Sequence, residues 1–197
     1  MRYAQLELSA FEDPKYCRAA RIEDAEGTQH LLTNGTPLYD RDPTFPSGVR
    51  IHLDRAHIGV ALGSRLSNTN NLLILTRTAI DALNQALNLG PFELHPFELI
   101  NHKGRIHSLD YLILHPLTLL PLGHPDSEID RFETSGNPYY CERWVLDARA
   151  LHDAPDLVRS KQLPEYYFAS ERFVAAVQEL GLTNFVFTEL EHREEST

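Results

Sequence analysis

The sequence has few of the residues that staple a fold or act as redox and nucleophilic centres. Its 197 residues include two cysteines, Cys17 and Cys141, one methionine and one tryptophan. A chain of this length does not need disulfides to hold its core, and two widely separated cysteines form no zinc or redox motif. Nothing in this pattern indicates a disulfide-stapled scaffold or a cysteine nucleophile.

Long hydrophobic runs and an export signal are also missing. The longest apolar stretch, YLILHPLTLLPL at residues 111–122, is too short to cross a bilayer and contains two prolines and a histidine. The opening residues MRYAQLELSAFEDPKY contain neither the apolar segment of a signal peptide nor a small-residue cleavage site. We therefore expect a soluble, cytoplasmic protein that does not bind membranes.

Acidic residues outnumber basic residues. The chain has 18 Lys and Arg against 28 Asp and Glu, which gives a formal net charge of −10. Such a surface repels nucleic-acid phosphates and anionic lipids, so the charge disfavours both as partners and favours a basic protein. Acidity that serves only solubility is the simpler alternative, and it stays open.

The motifs of phosphate, acyl-transfer and metal chemistry are absent. The ten glycines are scattered singly, without a G-x-x-x-x-G-K or G-x-G-x-x-G loop, and no serine lies in a G-x-S-x-G turn. Ten histidines are present, but none forms H-E-x-x-H. His107 and His115 would lie about 26 Å apart on one straight strand. We therefore expect surface or hydrogen-bonded histidines, no metal site and no cofactor.

What the sequence does contain suffices for a core. Hydrophobic residues make up 42% of the chain and its length suits one domain. The pattern predicts an α+β fold, a mostly antiparallel sheet with a few packed helices. The domain should span residues 1–190, with an N-terminal lobe over 1–48 as an open alternative and a disordered tail at 191–197.

Two helices are legible from local signals. Ser170 is a suitable N-cap for an amphipathic helix that ends at Leu180, because Gly181 can adopt a left-handed C-terminal conformation. An earlier helix is predicted over residues 79–89, with Thr78 as its N-cap.

The strands are less sharply marked. The tandem repeat Pro-Phe-Glu-Leu at residues 91–94 and 96–99 has a period of five, which fits no straight strand and predicts a kink near Pro96. A hairpin should follow, with a turn at 101–104 and a return strand at 105–115 near the centre of the sheet. Further strands are predicted at 3–8, 30–33, 139–147 and 185–187, and an exposed loop at 39–48.

Acidic and aromatic residues in the last third are the candidates for a binding surface. Carboxylates cluster in a turn-rich segment without the EF-hand spacing, and two tyrosines follow Pro164. Trp144 is favoured as a core residue, whereas core and interface are about equally favoured for the two tyrosines. The predicted partner-binding residues are Asp126, Glu128, Asp130, Glu133, Tyr166 and Tyr167.

Several segments together resemble a family of bacterial immunity proteins associated with polymorphic toxins, whose ending combines a Ser-Glu-Arg helix, Gly-Leu-Thr and a Phe strand. They are DYLILHPL at 110–117, Asp126 with Ser127, RWVLD at 143–147 and LVRSKQLPEYYFASERFVAAVQELGLTNFVFTEL at 157–190. The resemblance spans residues 92–190. It implies a cytoplasmic protein that binds a cognate secreted toxin stoichiometrically, without a catalytic residue or cofactor.

Two other function classes remain as alternatives. One is a metal-dependent hydrolase of unknown substrate, which would use the hairpin residues His102 and His107 or the acidic segment at Asp126. The other is a structural or assembly subunit.

Overall fold

A computed structural model describes residues 1–23, 29–38 and 46–194 of the chain. The strands are β1 Tyr3–Leu6, β2 Arg18–Glu23, β3 Arg50–Leu53, β4 Arg65–Asn68, β5 Ile74–Thr76, β6 Phe92–Pro96, β7 Glu98–Ile100, β8 Ile106–Ser108, β9 Tyr111–Pro116, β10 Leu119–Leu120, β11 Glu128–Arg131, β12 Pro138–Arg143, β13 Val145–Asp147, β14 Leu157–Ser160, β15 Tyr167–Ser170, β16 Phe187–Glu189 and β17 Glu191–Arg193. The helices are α1 Gln29–Thr33, α2 Arg77–Ala86 and α3 Glu171–Glu179, with a 3₁₀ turn at Ala148–Leu151. The predicted α+β class, rich in antiparallel pairs, is confirmed.

The larger sheet has eight strands in the order β6-β9-β5-β4-β2-β3-β7-β8. Only Phe97 separates β6 from β7, yet these strands lie near opposite ends of the order, so the sheet curls round on itself. The break between the two Pro-Phe-Glu-Leu copies falls where their five-residue period predicts it. The inside of the curl is an apolar core that includes Ile51, Leu99 and Ile113.

The predicted hairpin forms, but not in the predicted place. Asn101 shapes its turn, because the side-chain oxygen accepts hydrogen bonds from the backbone N–H groups of Lys103 and Arg105. The returning strand breaks after Ser108, so β8 pairs with β7 at one end of the sheet while β9 pairs with β5 and β6 near the other. The hairpin is therefore peripheral, whereas β9 is buried along its whole length, as its apolar run at residues 111–114 predicts for that part of it.

A second sheet, in the order β10-β14-β15-β1-β16, lies on the other side of the two longer helices. Residues of α2 and α3 pack with Leu6 of β1, Leu75 of β5 and Leu112 of β9 in one cluster. Phe168 of β15 points into a further cluster with Trp144. The helices thus join the two sheets, and residues around β12 and β13 cover the far face of the second sheet.

Helix α3 follows its sequence signals closely. The Phe173 N–H donates to Ser170 Oγ at 3.1 Å, which is the predicted N-cap. At the other end Gly181 has φ +62°, Leu182 N–H donates to Val177 O at 2.9 Å and Gly181 N–H to Gln178 O at 3.1 Å. This pair of bonds is a Schellman motif, which ends the helix at the predicted glycine.

Other boundaries differ from prediction. Thr76, not Thr78, caps α2, because the chain turns directly from β5 into the helix, and the helix ends at Ala86 instead of residue 89. Residues 30–33 belong to helix α1 and not to a strand. The strand predicted at 185–187 is shifted to Phe187–Glu189, because Phe185 turns into the core beside Phe173.

Two further segments are also corrected. The strand predicted at 139–147 is interrupted at Trp144, which divides it into β12 and β13. Part of the predicted disordered tail is ordered, since Glu191–Arg193 forms β17 and pairs in parallel with β13. The predicted loop at 39–48 lies outside the described residues over 39–45. No helix of the described ranges is long and apolar enough to span a membrane.

Two fully buried arginines connect distant segments. Arg65 of β4 donates hydrogen bonds to the carbonyl oxygens of Leu8, Ala10 and Asn184. Arg159 of β14 donates to the carbonyl oxygens of Leu32, Thr33 and Pro164. Burial lowers the pKa of both side chains, that of Arg65 to about 10, so Arg65 remains charged at neutral pH. Each therefore donates hydrogen bonds to three backbone carbonyl groups, most of them distant in the sequence.

Candidate protein-binding site

A groove of about 820 Å³ runs beside β12. One wall consists of β12 and the residue that follows it, and the other of β1, the segment after it and residues 188–191. The lining residues are Gln5, Leu6, Glu7, Leu8, Ser9, Asn71, Tyr139, Tyr140, Cys141, Glu142, Arg143, Trp144, Glu165, Tyr166, Thr188, Glu189, Leu190 and Glu191.

The groove is acidic. Its described lining includes five glutamates, at positions 7, 142, 165, 189 and 191, against one basic residue, Arg143. Five negative charges and one positive charge leave a net −4. The arginine is itself engaged, with Nε 2.7 Å from Glu128 Oε1 and Nη1 3.7 Å from Glu191. The remaining carboxylates are therefore the ones that an incoming ligand meets.

Exposed aromatic side chains flank these carboxylates. Tyr139 and Tyr140 are each 49% exposed, and Phe132 nearby is 53% exposed. The rings of Phe132 and Tyr139 lie 4.6 Å apart between centroids. Large amphipathic rings that are held but half exposed are the usual anchors of protein interfaces.

Buried aromatic packing supports the wall of the groove that β12 and Trp144 form. Trp144 is buried and packs edge-on against Phe168 at 5.1 Å and Tyr166 at 5.5 Å between ring centroids, so its predicted core position is confirmed.

Burial raises the pKa of the Cys141 thiol to about 11. At neutral pH this thiol is protonated and hence a poor nucleophile. The arrangement favours binding over chemistry.

The predicted acidic loop is a β-hairpin. Glu128 and Asp130 lie on strand β11, which pairs with β12, and Glu133 lies in the exposed connection. Asp126 pairs with Arg193, and Glu128 with Arg143. The pair of Asp126 with Arg193 connects the base of the hairpin to β17, whereas that of Glu128 with Arg143 joins its two strands, and none of the four carboxylates lines the groove.

Ser127 anchors the base of the same hairpin. Its hydroxyl donates to Val145 O at 2.8 Å and accepts from Val145 N–H at 3.0 Å. The Asp126 and Ser127 pair of the family resemblance therefore has a structural role in this chain.

The two tyrosines predicted as partner-binding have different environments. Tyr166 lines the groove, as a binding role requires. Tyr167 is only 1% exposed, lies on β15 and packs beneath the guanidinium of Arg159 at 4.6 Å, so it is unavailable to a partner. That prediction was wrong because Tyr167 begins a buried strand and does not belong to the loop at Pro164.

Sequence reasoning missed most of the groove. Its glutamates come from widely separated segments of the chain, and no local spacing connects them. The available signal was the adjacent pair Tyr139 and Tyr140. Successive strand residues face opposite sides, so only one ring of such a pair should face solvent, and here both do.

The histidine prediction is partly wrong. His102 and His107 are exposed, and His102 Nε2 lies 3.1 Å from Asp54 O. His115, however, is 1% exposed, and neither of its ring nitrogens has a hydrogen-bond partner among the described residues. Burial and the charge of Arg159 lower the pKa of His115 to about 3, so its ring is neutral. An unsatisfied buried polar group of this kind costs about 1–3 kcal/mol.

Comparison with known proteins identified no family: no protein-family model matches the sequence, and no curated protein is significantly similar to it.

Proposed function

We propose that this protein is a cytoplasmic immunity protein that neutralises a cognate secreted bacterial toxin by stoichiometric binding, and that the acidic groove receives a basic segment of the toxin. The observation that carries the proposal is the coincidence, in one groove, of five glutamates with half-exposed Tyr139 and Tyr140. The resemblance over residues 92–190 supports the same function.

The charges would act mainly on the rate of association. An exposed ion pair contributes only about 0.2–1 kcal/mol, and charges are screened beyond about 8 Å at physiological salt. A predominantly acidic groove nevertheless steers a basic partner and speeds encounter at low salt. For a toxin that must be captured before it acts, a fast association is the useful property.

The tyrosines would supply most of the affinity. Truncation of a central interface tyrosine typically costs about 2 kcal/mol or more, roughly a 30-fold increase in Kd. Tyr139 and Tyr140 lie on a strand, and the packed Trp144 beneath the groove keeps this wall in place. Little side-chain freedom would then be lost on binding.

Co-expression with the product of the adjacent toxin gene tests the proposal. We expect rescue of growth and co-purification as a one-to-one complex. Trp144, the only tryptophan, should report binding through a change in fluorescence. If the chain neither rescues growth nor forms a complex, the immunity function is refuted.

Charge reversal tests the groove itself. The double variant Glu142→Lys with Glu189→Lys should slow association about tenfold at low salt. Asp81→Lys with Asp153→Lys changes the net charge equally at exposed sites outside the groove and is the matched control. Equal effects of the two double variants would place binding elsewhere.

The alternatives have less support. The hydrolase hypothesis relied on His102, His107 and Asp126, of which Asp126 is paired with Arg193. An assembly subunit would form a stable homo-oligomer and give no growth rescue, and light scattering of the purified chain measures this directly.

A further inference from the structure

Strand pairing between β6 and β9 brings three potential metal ligands together. Glu93 of β6 lies directly opposite His115 of β9, and His95 lies opposite Ile113. Residues two apart on a strand share a face, and directly opposed residues are neighbours across the ladder. The side chains of Glu93, His95 and His115 therefore converge on the inner face of the curled sheet.

Their separations suit one ion. A ligand atom from each of the three residues lies within 4.8 Å of the other two. His95 Nε2 and Glu93 Oε2 are 3.1 Å apart. Two ligands about 2.1 Å from one Zn²⁺ are about 3.0–3.4 Å apart at octahedral to tetrahedral angles, so this pair needs little adjustment. A rotation of the His115 ring would bring in the third ligand.

The surroundings fix the carboxylate and leave His115 available. The Leu38 N–H donates to both carboxylate oxygens of Glu93, each at 2.9 Å. Hydrogen bonds of this kind orient ligands in metal sites. All three side chains are buried, and His115 has no partner among the described residues for either ring nitrogen. A metal ion would satisfy one of its two ring nitrogens.

We propose that Glu93, His95 and His115 bind a transition-metal dication, Zn²⁺ in the first place, as a structural site. Two imidazoles and one carboxylate form a donor set for zinc and for iron(II), and zinc commonly stabilises folds. Burial of all three ligands favours a structural role. The ion would connect β6 to β9 and, through Glu93, hold the backbone at Leu38.

The nearby charge of Arg159 limits the affinity. This buried guanidinium acts electrostatically on His115, and Glu93 is the only anionic ligand of the set. We therefore expect weaker binding than at a site with several thiolates, and removal of the ion by a mild chelator. This inference is independent of the proposed toxin binding, because the two sites share no residue.

The test uses the full chain, freed of metal by a chelator and then equilibrated with Zn²⁺ alone. We expect one ion per chain by elemental analysis, a higher thermal midpoint with Zn²⁺, and a visible absorption spectrum of tetrahedral type when Co²⁺ replaces it. His115→Leu and Glu93→Gln should weaken Zn²⁺ binding by more than about 100-fold, since even outer-shell changes cost up to that. His152→Ala is the matched control, because this side chain is 83% exposed.

If Glu93→Gln fails to fold, His115→Leu still distinguishes loss of the metal site from loss of the fold. Leucine removes the unsatisfied ring without leaving a void, so this variant should fold but no longer respond to Zn²⁺. Equal zinc content in the wild type and His115→Leu would overturn the proposal. So would a thermal midpoint of the wild type that Zn²⁺ leaves unchanged.

Discussion

Replacement of Ser170 by alanine should lower the free energy of unfolding far more than the ordinary loss of a helix cap does. Its hydroxyl oxygen accepts from Phe173 N–H at 3.1 Å and donates to Asp156 Oδ1 at 2.6 Å. Asp156 is 1% exposed, and its second oxygen accepts from Asn88 N–H at 3.0 Å. The serine therefore caps α3 and also satisfies a buried carboxylate.

The magnitude follows from these two bonds. Loss of a serine cap costs about 1 kcal/mol, and loss of a hydrogen bond to a charged group about 1.5–3 kcal/mol. Ser170→Ala should therefore lower the free energy of unfolding by about 2.5–4 kcal/mol. Thr76→Ala removes the cap of α2, where the Ala79 N–H bond of 3.3 Å involves no buried carboxylate, and should cost about 1 kcal/mol.

Urea denaturation of the wild type and both variants measures the difference. Ser170→Ala should unfold at a clearly lower urea concentration than Thr76→Ala, with similar slopes. If the two variants differ by less than about 0.5 kcal/mol, the additional role assigned to the bond with Asp156 is refuted.

Three further predictions concern single positions. His192 accepts a hydrogen bond from Tyr3 N–H through Nε2 at 2.9 Å, and burial lowers the pKa of its ring. The free energy of unfolding should therefore fall as pH drops below about 6.5, because the unfolded chain binds the proton first. Urea midpoints of His192→Gln should show less of this fall. Gly59→Ala should cost about 3 kcal/mol in urea, because its Cβ would lie 2.2 Å from Tyr16 O. Gly181→Ala should cost about 1–2 kcal/mol by the same assay, from its positive φ alone, since no atom lies within 4 Å of the added carbon.

Two results would contradict this reasoning. An unchanged pH profile in His192→Gln would mean that other groups cause the acid sensitivity. A Gly59→Ala variant no less stable than Gly181→Ala would show that the backbone at Tyr16 yields easily.

Local signals were sufficient for α3 and insufficient for α1. The Ser170 cap and the Gly181 stop both act within a few residues, so the sequence contains the whole explanation of α3. Residues 30–33 carry no such signals. Their helical turn depends on Leu32 in the core of the curled sheet and on the Arg159 side chain, which hydrogen-bonds to its last carbonyls from about 127 residues away.

The groove and the Glu93, His95 and His115 cluster likewise could not be predicted from local sequence signals. The separation of about 26 Å between His107 and His115 assumed one straight strand, whereas the relevant neighbour of His115 is Glu93 across the ladder. Register between strands depends on the whole sheet, and no spacing along the chain reports it. The glutamates of the groove likewise meet only after the second sheet has formed beside β12.

Arg65 and Arg159 determine how cooperatively the protein unfolds. Each guanidinium is anchored in one sheet and holds carbonyl groups that belong to segments packed elsewhere, so neither sheet can separate without leaving a buried charge unsatisfied. The two sheets should therefore unfold as a single cooperative unit. In native-state hydrogen exchange, the slowest amides of β9 and those of β15 should open in the same event and with the same dependence on denaturant.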